Sequence, residues 1–176
     1  MSQAEKKVQW CLKKATKELK EQGIHRGLVQ VEPNKNQVKM HLDKAQHNFN
    51  AALFFDKHGY SNWSASAFFY CAYHCCLAII RKHGYESRNQ ECTLAVIEFL
   101  REEGIIEFDQ SFIDMLLIAK ANEVDVSIIG IREDFQYGVE RTFANREVFT
   151  RLSETCKNML EKTRSVVYRE EAKNRK

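Results

Sequence analysis

The chain has 176 residues, of which 44% are hydrophobic and 29% are charged, and its formal net charge is +3. This length gives no reason to divide the chain into two globular domains, and the small charge neither requires nor excludes an anionic partner. One proline and seven glycines argue against a fold of many short strands and favour long helices.

Helical periodicity begins over residues 4–22, and Gly23 is expected to end this first helix. Its predicted apolar face consists of Val8, Leu12, Ala15 and Leu19. Residues 1–26 hold seven Lys or Arg against three Glu. A nucleic-acid-binding face and an ordinary solvated helix surface both produce such a pattern, so both interpretations stay open. Residues 24–33 are predicted to form an extended link.

A second helix is predicted from a cap at Asn34 or Asn36 to a stop at Gly59. The glycine, tyrosine and serine that follow it recur after the third helix. In each turn we expect the tyrosine to pack on the last helical turn and the serine, Ser61 or Ser87, to cap the next helix. Such short connections predict antiparallel neighbours. The predicted core residues of the second helix are Val38, Leu42, Ala45, Phe49, Ala52 and Leu53.

The third predicted helix, within residues 61–84, is apolar around most of its circumference. At about 100° per residue its polar groups fall on one line. A helix this apolar belongs at the centre of a bundle, so the line must face a partner helix, a second subunit or a site. The line consists of Ser66, Tyr70, Tyr73, His74, Leu77 and Arg81.

The rest of the chain predicts three more segments with helical character. A fourth helix covers residues 89–103, Asp109 caps a fifth helix through about Ala121, residues 122–144 are irregular, and Asn145 opens a final helix. Together these segments predict an all-α, antiparallel up-and-down bundle of four to five core helices with an extra N-terminal helix. The predicted core face of the final helix is Phe149, Leu152, Cys156, Met159 or Leu160, Thr163 and Val167.

The six cysteines are interpreted as reduced core residues of a cytoplasmic protein, since no Cys-x-x-Cys pair occurs. Cys71, His74 and Cys75 have a spacing that could place three soft ligands on one helix face. A fourth ligand is missing, so no metal site is predicted. The apolar run over residues 65–80 is shorter than the ~20 residues of a membrane span, and no membrane association is predicted.

Two groups of side chains could carry function. On the polar line, Tyr70, Tyr73, His74 and Arg81 are predicted to form a dimer contact or the wall of a cleft, where His74 is either an acid–base group or a hydrogen-bonded interface group.

Residues 132–137 form the second group. Arg132 suits phosphate, and Tyr137 suits stacking on a base, with Arg88 and Asn89 as further donors. The alternative for residues 132–137 is the start of a helix with exposed charges.

These residues resemble a HEPN domain (higher eukaryotes and prokaryotes nucleotide-binding) over about residues 36–168. The resemblance rests on the turn 59–61 leading into 66–74, the turn 84–90, and 132–138 before a long final helix. It implies a helical bundle that dimerises. Many members are metal-independent ribonucleases of toxin–antitoxin, CRISPR or other defence systems, and many are encoded with a small nucleotidyltransferase partner. It implies no cofactor.

The chain departs from the ribonuclease motif of that family, in which four to six residues separate an Arg from a His. Arg132 matches the Arg, but Tyr137 stands after four residues in place of the His, and Ala67 stands where many relatives have an Arg. A tyrosine with a pKa near ~10 is a poor base at neutral pH, whereas an imidazole with a pKa near ~6.5 exchanges protons readily. Efficient catalysis is therefore not expected unless His74 supplies the imidazole.

Three functions follow from this resemblance. The leading hypothesis is a homodimer that binds nucleotide, RNA or a nucleotidyltransferase partner. The second is a metal-independent ribonuclease that uses Arg132 with Tyr137 or His74, and the third is a purely structural dimerisation module. In domain terms, residues 1–35 are predicted as a helix and link, 36–168 as the HEPN-like bundle and 169–176 as a charged tail.

Overall fold

The computed structural model describes residues 1–117, 128–139, 142–143 and 146–169. Within these ranges the chain is mainly helical, which confirms the all-α prediction and the extra N-terminal helix. A small two-stranded sheet was not predicted. In chain order the elements are α1 (Gln3–Gln22), β1 (Leu28–Gln30), α2 (Lys35–Lys57), α3 (Ser61–Lys82), β2 (Tyr85–Ser87), α4 (Gln90–Glu102), α5 (Gln110–Met115), α6 (Ile128–Tyr137) and α7 (Arg146–Tyr168).

The chain divides into two compact units. The first comprises Met1–His41, Cys76–Phe108 and Ser165–Lys176, and the second comprises Leu42–Cys75 and Asp109–Arg164. Helices α2, α3 and α7 contribute residues to both. This division describes packing within the chain, so the domain boundaries expected from the sequence stay a prediction.

Helix α1 packs on α4 in the first unit. It begins where the Ser2 hydroxyl accepts a hydrogen bond from the Glu5 N–H at 3.1 Å, and it ends at Gly23, whose φ is 70°. The predicted apolar face was partly wrong, because Leu19 is exposed and Leu12 only half-buried. The face that is buried instead, where α1 packs on α4 and β1, is made of smaller side chains. It consists of Ala4, Val8, Cys11 and Ala15.

Strands β1 and β2 pair antiparallel, with Val29 opposite Glu86. Gly84, just before β2, lets the chain come close to Val31, just after β1. Its φ is 79°, and a Cβ added there would lie 3.0 Å from the Val31 carbonyl oxygen. Ser87 was predicted to cap α4, which was wrong because Ser87 belongs to β2. Asn89 is the cap, and its side-chain oxygen accepts from the Cys92 N–H at 2.9 Å.

The prediction that all cysteines are reduced was wrong for one pair. Cys11 of α1 and Cys92 of α4 form a disulfide, with their Cα atoms 5.9 Å apart. Because 81 residues separate them, no spacing in the sequence indicated the pairing. Cys71, Cys75, Cys76 and Cys156 are free and buried, in agreement with their prediction as core residues.

A continuous row of aromatic rings forms the core of the second unit. Phe68 of α3 contacts Phe49 of α2 and Phe149 of α7, with ring centroids 6.2 and 5.4 Å away, and Phe149 contacts Phe143 at 5.6 Å. Ser61 was predicted to cap α3 with its side chain. Instead, α3 begins at Ser61, whose hydroxyl accepts from the Phe143 N–H at 3.0 Å and so ties this segment to α3.

Two predictions for the segment after α4 were wrong. Helix α5 ends at Met115, well before Ala121, and part of the predicted helix lies outside the described residues. Within the segment predicted to be irregular, Ile128–Tyr137 forms α6. Residues 132–137 are thus the end of a helix that begins at the buried Ile128 and Ile129, whereas a helix start was the alternative considered.

The apolar character of α3 and the core face of α7 were predicted correctly. All proposed core residues of α7, from Phe149 to Val167, are buried. Helix α3 is long and apolar enough by composition to cross a membrane, but 72% of its most apolar window is buried inside the protein. It therefore has the surroundings of a core helix.

The disulfide allows a direct test. Without reductant, unfolded protein should show four reactive thiols, and six after reduction. Replacing both Cys11 and Cys92 with Ala should lower the free energy of unfolding by about 2–4 kcal/mol, because the bond constrains the unfolded chain. Ellman titration and urea denaturation measure the two effects. Six thiols in unreduced, unfolded protein would contradict the disulfide.

Candidate nucleotide-binding site

Arg132 sits over an aromatic ring in the second unit. Its guanidinium carbon lies 4.4 Å from the centroid of the Phe69 ring, which is the geometry of a cation–π contact. Helix α6 places Arg132 there because its buried Ile128 and Ile129 lie one helical turn earlier. The ring attracts the cation without neutralising it, so the guanidinium keeps its formal charge.

The surroundings of Arg132 favour a further partner for its donors. The side chain is half-buried, and its Nε is buried without a hydrogen-bond partner among the described residues. An Arg side chain has five N–H donors, and a buried donor without an acceptor is costly. A phosphate could accept from the fork of this guanidinium.

Phe69 carries further aromatic contacts that link Arg132 to the polar line of α3. The ring of Tyr73 is stacked with Phe69 at 5.9 Å and 12°, and the ring of Tyr70 meets it edge-on at 5.2 Å. Tyr73 in turn contacts the His74 ring at 6.5 Å. The structure therefore gathers Arg132, Tyr70, Tyr73 and His74 around one ring system.

Tyr137 does not share the face of Arg132. Five residues along an α-helix correspond to a rotation of about 140°, which places the two side chains on different sides of α6. Tyr137 is 80% exposed at the last residue of the helix. Gln136, four residues after Arg132 and also exposed, is the polar side chain on the face of Arg132.

The remaining predicted site residues belong to the first unit. Arg81 is 7% exposed, and its Nη1 lies 3.7 Å from the Glu86 carboxylate. Arg88 is exposed, and its Nη2 lies 3.9 Å from the same carboxylate. Because Glu86 offsets part of both charges, the start of α4 is a poor site for an anion. The Asn89 side-chain oxygen is occupied as the helix cap.

Arg81 also acts on a neighbouring histidine in the first unit. Burial lowers the pKa of His41, and the positive charge of Arg81 lowers it further, whereas Glu86 opposes the shift. This arrangement favours the neutral imidazole of His41. Arg81 and Glu86 thus pair with each other within the first unit, and both act on the pKa of His41.

The thiols near His74 are arranged as core groups. Contact with the Cys156 thiol and burial raise the pKa of Cys71, and contact with the Cys71 thiol and burial raise the pKa of Cys75. A thiol with a raised pKa is a weak nucleophile and a weak metal ligand. In the part of the chain that the structure describes, no group of three His, Cys, Asp or Glu side chains could hold a metal ion.

The sequence interpretation missed two contributors to this surface. Phe69 lies on the apolar part of α3 and is 4% exposed, but it is also the ring on which Arg132 lies. Trp63, 59% exposed, lies seven residues before Tyr70 and therefore on the same side of α3. Extending the polar line by one helical turn from Ser66 toward the start of α3 would have found Trp63. No local signal indicated the contact of Phe69 with Arg132.

Comparison with known proteins places the chain in a family. No curated protein matches it. The family model of the HEPN domain matches residues 38–168, which is most of the chain, and the match includes α3, α6 and the contact of Arg132 with Phe69. The chain therefore belongs to the HEPN domain family.

Proposed function

We propose that the protein binds a nucleotide or RNA at Arg132, as a homodimer without efficient ribonuclease activity. The observation that carries the proposal is the guanidinium of Arg132, which lies on the Phe69 ring and keeps a buried donor that has no partner among the described residues. The family, which is of the nucleotide-binding and ribonuclease type, supports the same ligand class.

The chemistry of the surface matches both parts of a nucleotide. Arg132 offers a planar, bidentate donor for phosphate. Trp63 is 59% exposed, and aromatic faces accept any unpaired base. Phosphate at Arg132 with a base on the Trp63 ring is the proposed mode of binding. Tyr137 is too exposed and too far around α6 to act with Arg132 on the same ligand within one chain.

Replacing Arg132 with Ala should weaken binding about 10- to 100-fold, because hydrogen bonds to charged groups contribute about 1.5–3 kcal/mol. Lys at this position should restore only part of the affinity, since an ammonium lacks the planar fork. Fluorescence anisotropy with labelled RNA and labelled nucleotides measures the change. The exposed Arg151 of α7, changed to Ala, is the matched control. Equal affinity of wild type and Arg132→Ala would exclude this site.

A ribonuclease that uses Arg132 with His74 is the second candidate. It is favoured by the ring contacts that connect His74 through Tyr73 to Phe69, on which Arg132 lies. An imidazole in that position could exchange the proton of a 2′-hydroxyl, which Tyr137 does poorly at neutral pH.

Incubation of purified protein with RNA in EDTA separates the two candidates, since the proposed ribonuclease needs no metal. We expect the RNA to stay intact. Cleavage that disappears in both Arg132→Ala and His74→Ala would establish the ribonuclease in place of the binding protein. Cleavage that survives in both variants would indicate a contaminating nuclease, which further purification removes before the comparison is repeated.

The dimer contact is proposed to lie on the exposed part of the polar line of α3. Tyr70, which is 48% exposed, presents a large, rigid ring there, as residues at protein interfaces commonly do. A small nucleotidyltransferase is the proposed protein partner of this part of α3. The proposed compartment is the cytoplasm, where disulfides are uncommon. Whether the Cys11–Cys92 pair is oxidised or reduced in cells therefore bears on this proposal.

Light scattering after size exclusion should give a dimer for wild type and a monomer for Tyr70→Glu, because a buried carboxylate without a partner is costly. Tyr60, which is 59% exposed and lies before α3, provides the matched variant Tyr60→Glu, and it should remain dimeric. A monomeric wild type would contradict the homodimer and the purely structural dimerisation module together.

A further inference from the structure

We propose that α1 carries a second binding surface, in the first unit, for single-stranded nucleic acid. This surface is the lysine face, defined here as Trp10 together with all lysines of α1. It is separate from the Arg132 site, because α1 precedes the segment 38–168 that the HEPN family model matches. The members of the lysine face are Lys6, Lys7, Trp10, Lys13, Lys14, Lys17 and Lys20.

The lysine face results from the packing of α1. Its buried side, which includes Ala4, Cys11 and Ala15, is covered where α1 packs on α4 and β1, and Cys11 joins it to α4 by the disulfide. At about 100° per residue, the six lysines and Trp10 occupy a sector of about 140° on the opposite side of the helix. The lysines span about 21 Å along the axis, from Lys6 to Lys20.

The charge of this face is strongly positive although the chain as a whole is nearly neutral. The sector holds six lysines and one acid, Glu21, so its formal charge is 6 − 1 = +5, compared with +3 for the whole chain. Glu21 lies 3.7 Å from Lys17, and Lys7 lies 3.0 Å from Glu91 of α4. Lys6, Lys13 and Lys20 are exposed, and lysines of this kind bind a phosphate backbone and release its counterions.

Trp10 gives the face a second feature, which phosphate binding alone does not require. The indole is 52% exposed, and the ammonium groups of Lys7 and Lys14 lie 4.8 and 5.2 Å from its centroid. The two cations hold the ring at the surface, where an unpaired base could stack on it while the same lysines contact the flanking phosphates. A ring between cations is therefore suited to a single strand, since the bases of a duplex are already stacked.

A membrane surface is the competing partner for a basic helix. Helices that lie in a lipid interface insert a broad apolar face. In α1 that face is already buried against α4, and the lysine face offers only one aromatic ring. The arrangement therefore favours nucleic acid over lipid.

Fluorescence provides the test, because the chain has only two tryptophans. In the Trp63→Phe protein, Trp10 is the only indole, and oligouridylate or oligothymidylate should quench its emission. Quenching by both indicates a surface that binds single strands of either sugar, and quenching by the ribose form alone narrows the ligand to RNA. Unchanged emission with bound oligonucleotide would overturn the proposal.

Affinity measurements locate the contact. Trp10→Ala should weaken binding about fivefold or more, as expected for loss of one stacked base, whereas the matched variant Tyr60→Ala, at an exposed ring outside both proposed sites, should leave binding unchanged. Because Trp10 and Tyr60 are both exposed, both variants should fold. Equal loss in the two variants would contradict a role specific to Trp10.

The salt dependence of binding tests the lysines. Changing Lys6, Lys13 and Lys17 to Gln should reduce the slope of log K against log salt by about 2, since each phosphate contact to a single strand contributes about 0.7. The exposed lysines Lys44, Lys57 and Lys157, changed to Gln together, are the matched control and should leave the slope unchanged.

Two further measurements distinguish the lysine face from the Arg132 site and from a membrane-binding helix. Quenching of Trp10 that persists in Arg132→Ala supports the lysine face whatever the fate of the Arg132 site, and its loss would show that α1 has no surface of its own. Vesicles with anionic headgroups should leave Trp10 emission unchanged. A blue shift with vesicles at salt concentrations where oligonucleotides have no effect would assign the face to membranes and overturn the proposal.

Discussion

The burial of α3 is the constraint on which the other packing depends. Nearly every side of this helix is apolar, and exposure of even one large side chain forfeits about 1.5–3 kcal/mol. In the second unit the requirement is met by phenylalanines from α2, α7 and the segment before α7, which meet Phe68 directly or through Phe149. The hydrogen bond from Phe143 to Ser61 fixes that segment at the start of the same helix.

The few polar groups of α3 consequently acquire different environments along its length. Near its C-terminal end, Leu77 and Arg81 are buried, and Arg81 pairs with Glu86 within the first unit. Near its N-terminal end, Trp63 and Tyr70 are exposed, and Phe69 beside them supports Arg132. One line of residues, regular in the sequence, thus serves internal charge pairing at one end and a solvent-facing aromatic surface at the other.

The features that the sequence predicted well depend on neighbours within one helix. The core face of α7, the end of α1 at Gly23 and the cap at Asn34 all follow from residues within a few positions of one another, because the helical period and the caps are local. The features that it missed join distant positions. The disulfide spans 81 residues, the hydrogen bond of Phe143 to Ser61 spans 82, and three-residue strands have too little pattern to be recognised. For the site, Arg132 and the aromatic line were found separately, but their meeting at Phe69 depends on the fold.

The link between α1 and α4 bears on where this protein can be divided. The segment that the family model matches begins at residue 38 and contains α4 but not α1. A shortened chain limited to 38–168 would lose Cys11 and leave Cys92 as a free thiol. It would also expose the side of α4 that now packs on α1, and exposed apolar surface is prone to self-association. A division at residue 38 would therefore separate two helices that pack together in one compact unit and are covalently joined.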